Sequence, residues 1–118
     1  MDSEERHLQI LRLIAENPHI SQRQIASALG FSVGKTNYAV RAVIDRGWVK
    51  AQNFSSSQNK RSYLYKLTPA GVSEKAQLAY RLLQRKRAEH QRLMEEIEAL
   101  RAEVETARVL IERNPSPP

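Results

Sequence analysis

The sequence predicts a mainly α protein with one small β-hairpin. Three short helices precede the hairpin and one long helix follows it. Three observations carry this reading. Residues before 47 show apolar stripes at helical spacing, punctuated by capping residues and glycines. Two short segments, 48–54 and 62–67, concentrate aromatic and β-branched residues around a polar gap. From Val72 to Arg113 there is neither Gly nor Pro.

The first helix is read over residues 4–17, where Leu8, Leu11 and Ile14 form the stripe and Ile10 and Ala15 widen it. Asp2 and Glu5 have the spacing of a capping box, and Pro18 ends the helix. Ser21 and Gln24 repeat that spacing at the second helix, whose apolar face is Ile25, Ala26 and Leu29 and whose stop is Gly30. Ser32 caps a third helix that runs to about Arg46, before Gly47. "WVKAQNF" and "SYLYKL" read as strands, with the polar "SSSQNKR" between them as the tip of a hairpin. Thr68 and Pro69 have the order of a cap and a first helical position. The long helix would reach roughly 65 Å at 1.5 Å per residue. The tail "NPSPP" is expected to be disordered. The expected domains are therefore 1–68, the three helices and the hairpin, 69–113, the long helix, and the tail 114–118.

The string "GFSVGKTN" resembles a phosphate-binding loop. That loop needs four residues between its glycines, and Gly30 and Gly34 have three. It also follows a buried strand, whereas "QIASAL" is an amphipathic helix. The same string fits a helix-turn-helix, with Gly30 at the turn and Ser32 capping the second helix of the motif. On a helical wheel Val33, Thr36, Ala39, Val40 and Val43 face the core. Gly34, Tyr38, Arg41 and Asp45 face away, with Lys35, Asn37 and Ala42 on the flanks. A recognition helix touches base edges with its N-terminal half. Arg and Lys match guanine acceptors, Asn matches adenine, and Gly34 admits close backbone approach. The plainer alternative is an ordinary solvated face. The hairpin tip weighs against it, because Asn59, Lys60 and Arg61 suit a wing on phosphates or an adjacent minor groove.

Charge agrees with a polyanionic partner. The chain of 118 residues carries 19 Lys and Arg against 13 Asp and Glu, net +6. Residues 1–68 hold ten basic and five acidic residues, while 93–113 hold six Glu and three Arg. There is no cysteine, which removes disulfides, thiol sensing and Cys-ligated zinc. No apolar run approaches the ~20 residues of a membrane span, and the N-terminus is no secretion signal. A soluble, cytoplasmic protein is expected. His7, His19 and His90 fall on separate elements, so no metal site and no cofactor are expected. Asp45 is the lone carboxylate between Glu16 and Glu74, which leaves no pair for acid–base chemistry and argues against an enzyme.

Leu93, Ile97, Leu100, Val104, Ala107 and Ile111 follow the 4-3 spacing of a heptad seam, with Leu at d and branched residues at a. That choice favours a parallel two-stranded coil. Glu96 and Glu103 fall at g and Arg101 and Arg108 at the following e, which also biases toward parallel pairing. Traced backward, the seam meets His90 and Lys86, then Leu83, Ala79 and Ala76. The alternative is that the stripe packs against the first helix of its own chain.

The pieces "ISQRQIASALGFSVGKTNYAVRAVIDRGWV" and "NKRSYLYKLTPAG", about residues 20–71, resemble the MarR-type winged helix-turn-helix transcription regulators. The L-G-x-S turn, the G-W-V strand entry and L-T-x-x-G carry the likeness. "SVGKTNY" and "RGWVKAQNF" are similar to the small exopolysaccharide-associated subgroup. The resemblance implies a winged helix-turn-helix transcription regulator, and its subgroup implies control of polysaccharide genes; the heptad seam adds a homodimer, whose two recognition helices would meet a pseudo-palindromic double-stranded DNA operator. Ser32, Gly34, Lys35, Asn37, Tyr38 and Arg41 would meet the major groove, and Asn59, Lys60 and Arg61 would form the wing contact. Leu83, Leu93, Ile97, Leu100, Val104 and Ile111 would join the two chains. Many members carry Asp-Arg-Arg at the wing tip where this chain has Asn59-Lys60-Arg61. Members are also longer, so the family's small-molecule pocket is expected to be missing here. A second class of function remains open: an adaptor whose coil binds a protein partner, with little DNA specificity.

Overall fold

A computed structural model describes residues 2–55 and 61–114, and the side chains of these residues outside 53–63. In chain order its elements are α1 (Ser3–Glu16), α2 (Gln22–Leu29), α3 (Val33–Asp45), β1 (Val49–Ser55), β2 (Arg61–Leu67) and α4 (Pro69–Arg113). The tail residues 115–118 and the hairpin tip 56–60 lie outside the described residues. Contacts divide the chain into two units, Met1–Leu82 and Leu83–Pro118. The first turns of α4 thus belong with the three helices and the hairpin.

Local chemistry starts each helix. Asp2 Oδ1 accepts from Glu5 N at 2.8 Å. Ser21 Oγ accepts from Gln24 N at 3.1 Å, and Gln24 Oε1 accepts from Ser21 N at 2.9 Å, a complete capping box. Ser32 Oγ accepts from Lys35 N at 3.1 Å. These bonds satisfy amides that a helix start leaves without partners. At the ends, Gly30 closes α2 with φ 69° and Gly47 follows α3 with φ 77°, both in the left-handed region where a Cβ is costly.

The core of the first unit joins Leu8, Ile10, Leu11 and Ile14 of α1 to Ile25 of α2, to Ala39, Val40 and Val43 of α3, and to Leu78 of α4. Alternation on the antiparallel hairpin brings Val49, Ala51, Tyr65 and Leu67 onto that core, with Val49 opposite Leu67 and Ala51 opposite Tyr65. Trp48, Ala79 and Leu82 pack at its margin. Two expectations need correction. Ala15 is exposed, and His7 lies on the buried face of α1 instead. Val33 is 55% exposed. It is the first residue after the cap, where the helix has just begun and no core element lies over it.

Two bonds fasten the start of α4 to the entry of β1, and a third caps the helix. Thr68 N donates to Trp48 O at 3.0 Å, Thr68 Oγ1 donates to Gly47 O, and Thr68 Oγ1 in turn accepts from Gly71 N at 3.0 Å. Gly71 lies so close to Trp48 that an added Cβ would collide with Trp48 O and sit 2.8 Å from its carbonyl carbon. Both atoms are backbone, so they cannot swing aside. Gly71→Ala is therefore expected to destabilise the protein by about 1–3 kcal/mol through overpacking, despite alanine's better helix propensity. Thermal unfolding of the variant checks this, and an unchanged or raised midpoint contradicts it.

His7 is nearly buried and meets Trp48 edge to face, with ring centroids 5.5 Å apart. Burial lowers its pKa, Arg46 and Arg6 lower it further, and Glu74 and Glu4 oppose them. The folded state therefore resists protonation more than the unfolded chain does. Above the unfolded value of about 6.5 both states are neutral there and stability is unaffected. As pH falls through that value the unfolded chain gains the proton first, and stability declines. His7→Gln should flatten this acid-side slope in denaturant titrations between about pH 7 and 5. A slope equal to wild type contradicts the assignment.

Candidate nucleic-acid interface

Helix α3 has two chemically distinct faces. Thr36, Ala39, Val40 and Val43 are buried in the core. The Thr36 hydroxyl is satisfied inside by donating to Ser32 O at 2.9 Å. On the other side Gly34, Lys35, Tyr38, Arg41 and Asp45 turn outward and are all exposed, Tyr38 at 74%. A tyrosine left this open has surrendered most of the burial that usually stabilises an aromatic ring. The exposed side is cationic and amphipathic, carrying an ammonium, a guanidinium and a phenol along two turns.

Side-chain contacts set this surface further. Lys35 Nζ stands 4.2 Å from the centroid of the Phe31 ring, and Arg6 Cζ of α1 stands 6.0 Å from the same centroid. Such cation–aromatic contacts hold a flexible cation over a fixed plane. Arg6 Nε is buried and has no hydrogen-bond partner among the described residues. Ser32 serves as the cap of α3, so its oxygen is engaged with the Lys35 amide. Asn37 is half-buried and donates through Nδ2 to Gln22 Oε1 of α2 at 3.1 Å. Gln22 Nε2 in turn approaches Tyr65 Oη at 3.4 Å.

The geometry thus brings Ser32, Gly34, Lys35, Asn37, Tyr38 and Arg41 onto one helix and leaves four of them open to solvent beyond the capping serine and the bonded asparagine. The exposed Val33 extends the same helix end, a position that the wheel assigns to the interior. Asn59 and Lys60 lie outside the described residues, and Arg61 begins β2. Sequence reasoning missed Gln22 and Arg6. The sequence marks Gln22 as no more than the residue after a cap, and Arg6 as one cation among many.

A family model described as winged helix-turn-helix DNA-binding matches residues 3–50. Among solved structures, MarR of Staphylococcus aureus, determined with salicylate and kanamycin, superposes with a TM-score of 0.55 at 14% identity, covering 90% of this chain and 72% of that one. A mutant of MepR from S. aureus gives 0.59 at 17% identity, covering 94% and 80%. ZitR of Lactococcus lactis gives 0.58 at 20% identity, covering 92% and 73%. The chain has a winged helix-turn-helix fold of the MarR type. In that fold α2 and α3 form the helix-turn-helix, and β1 and β2 form the wing hairpin. A comparison with curated protein sequences found no significant match.

Among the described residues, no group of three or more His, Cys, Asp or Glu side chains could hold a metal ion. No helix among them is long and apolar enough to cross a membrane.

The second unit, Leu83–Pro118, shows a different surface. Leu83, Leu93, Leu100, Val104 and Ile111 are all exposed, and Ile97 is half-buried. Ile97, Leu100 and Val104, with Arg101 and Glu105 beside them, line one apolar groove. Arg101 pairs with Glu98 at 3.8 Å, and Arg108 with Glu105 and Glu112 at 3.7 Å. These exposed pairs within one helix are weak, so they leave both arginines able to exchange partners.

Proposed function

We propose that the protein is a sequence-specific DNA-binding transcription regulator that acts as a homodimer. The observation that carries the reading is the face of α3: its core side is filled, while Tyr38, Arg41, Lys35 and Gly34 stand open on a helix whose fold type addresses the major groove. Ser32 and Asn37 belong to the same surface, and Asn59, Lys60 and Arg61 supply the wing contact to the backbone or minor groove. A parallel coil through Leu83, Leu93, Ile97, Leu100, Val104 and Ile111 joins two such readers. The exposure of that seam supports the pairing, since an isolated helix would leave it in water. Two recognition helices then meet half-sites about 34 Å apart on a pseudo-palindromic operator. The likeness to the exopolysaccharide-associated subgroup makes polysaccharide genes the proposed targets.

The competing reading is an adaptor that uses the coil to bind a protein. Salt dependence separates them. Titration of labelled double-stranded DNA by fluorescence anisotropy over a salt series should give a linear fall of log affinity with log salt. Replacing both Lys60 and Arg61 with Ala should lessen that slope by about 2, roughly 0.9 for each phosphate no longer neutralised. DNA binding that is absent at low salt, or insensitive to salt, sinks the regulator reading and leaves the adaptor.

A further inference from the structure

We infer that Gln22 is a positioning residue for base reading: it fixes the amide of Asn37, so that sequence preference depends on a side chain of α2 that need not touch a base. The inference rests on the DNA-reading function proposed above and names how one of its contacts is set.

An asparagine on a recognition helix is a precise reader only if its amide plane is held. The terminal torsion of Asn is broad, with no sharp preferred angle of its own. On α3 the constraint comes from outside the helix. Asn37 Nδ2 donates to Gln22 Oε1 at 3.1 Å. Gln22 is held in turn at both ends. Its backbone follows the Ser21 capping box, and its Nε2 points to Tyr65 Oη at 3.4 Å, on a ring that is buried in β2. The longer of these contacts is the weaker, so Tyr65 is a secondary brace.

The arrangement leaves useful chemistry on Asn37. An amide nitrogen carries two hydrogens, and one goes to Gln22. The second hydrogen and the carbonyl oxygen stay available, which is the donor–acceptor pair that adenine matches with N7 and N6. Both amides are half-buried, so the bond between them is shielded from competing water. Gln22 thereby ties the first helix of the motif to the reading surface of the second.

The test compares base preferences of the full chain and its variants by selection from random double-stranded DNA. Gln22→Met keeps length and apolar bulk but removes the acceptor. It should flatten preference at one base position per half-site by about tenfold, the same position that Asn37→Ala flattens. The double variant should lose little more than either single one. Gln22→Glu keeps an acceptor for Asn37, so it should retain that preference even where its charge lowers affinity for every sequence. Tyr65→Phe should show the same pattern as Gln22→Met, more weakly. Two results overturn the inference: Gln22→Met leaving the position selected by Asn37 intact, or lowering affinity evenly at all positions. Failure of the underlying function looks different, because then the wild-type protein itself enriches no sequence and the inference falls with it.

Discussion

Leu100→Asp is expected to convert the protein into a monomer, read by light scattering at micromolar concentration as a particle of the 13.5 kDa chain mass in place of twice that mass. Leu100 is 59% exposed and sits midway along the 93–111 seam, between Ile97 and Val104 in the same apolar groove. In a parallel coil it falls at d, facing its own copy. The substitution would place two carboxylates against each other in the driest layer of the interface, with no cation to pair them. An unpaired buried charge costs about 3–5 kcal/mol. Three heptads form a marginal coil to begin with, and Lys86 and His90 interrupt the seam between Leu83 and Leu93, so there is little reserve to absorb that cost. Binding to a two-half-site operator should fall with the dimer, because the two readers no longer share one molecule. Residual binding to a single half-site should persist. A dimer that survives Leu100→Asp means the chains associate elsewhere.

Arg41→Ala should weaken binding to the cognate site by about 1–3 kcal/mol, roughly 5- to 150-fold in Kd, and leave the dimer intact. Arg41 lies one turn beyond Asn37 and Tyr38 on the exposed face of α3, away from Val40 and Val43 in the core. Truncation there creates no cavity, so a weaker complex reports a missing DNA contact rather than a damaged fold. A guanidinium matches the O6 and N7 acceptors of guanine through two parallel bonds, which a smaller side chain cannot supply. The loss should therefore concentrate at one base pair, in contrast to a phosphate contact, which weakens all sequences alike. Unchanged affinity for the cognate site contradicts a reading role for this residue.

The parts of the fold legible in the sequence are those written in local chemistry. Ser21 with Gln24, Ser32, Gly30, Gly47 and the Thr68–Pro69 pair mark element ends because caps and left-handed glycines act within a few residues. The strands differ from their expected limits by a residue because the aromatic and β-branched pattern is equally local. What escaped depends on elements distant in the chain. A wheel treats every helical position alike, so it sends Val33 inward although no element covers the first turn of α3. It passes over His7 because histidine carries no hydropathic signal, yet Trp48 makes the buried site that holds it. Gly71 stands out as part of L-T-x-x-G, while its cause, the carbonyl of Trp48, is a tertiary contact. Gln22 reads as an ordinary residue after a cap until Asn37 is seen beside it. The division after Leu82 follows from Leu78, Ala79 and Leu82 packing with the helices of the first unit, whereas Thr68 and Pro69 mark where α4 begins.

Selection of bound sequences from a random double-stranded DNA library addresses the central claim most directly, since the library presupposes no target site. The account predicts enrichment of one pseudo-palindrome whose half-sites are centred about one helical turn apart, with base preference concentrated where α3 would lie. Recovery of sequences no different from the starting library, at salt low enough for the basic domain to hold DNA, would contradict it.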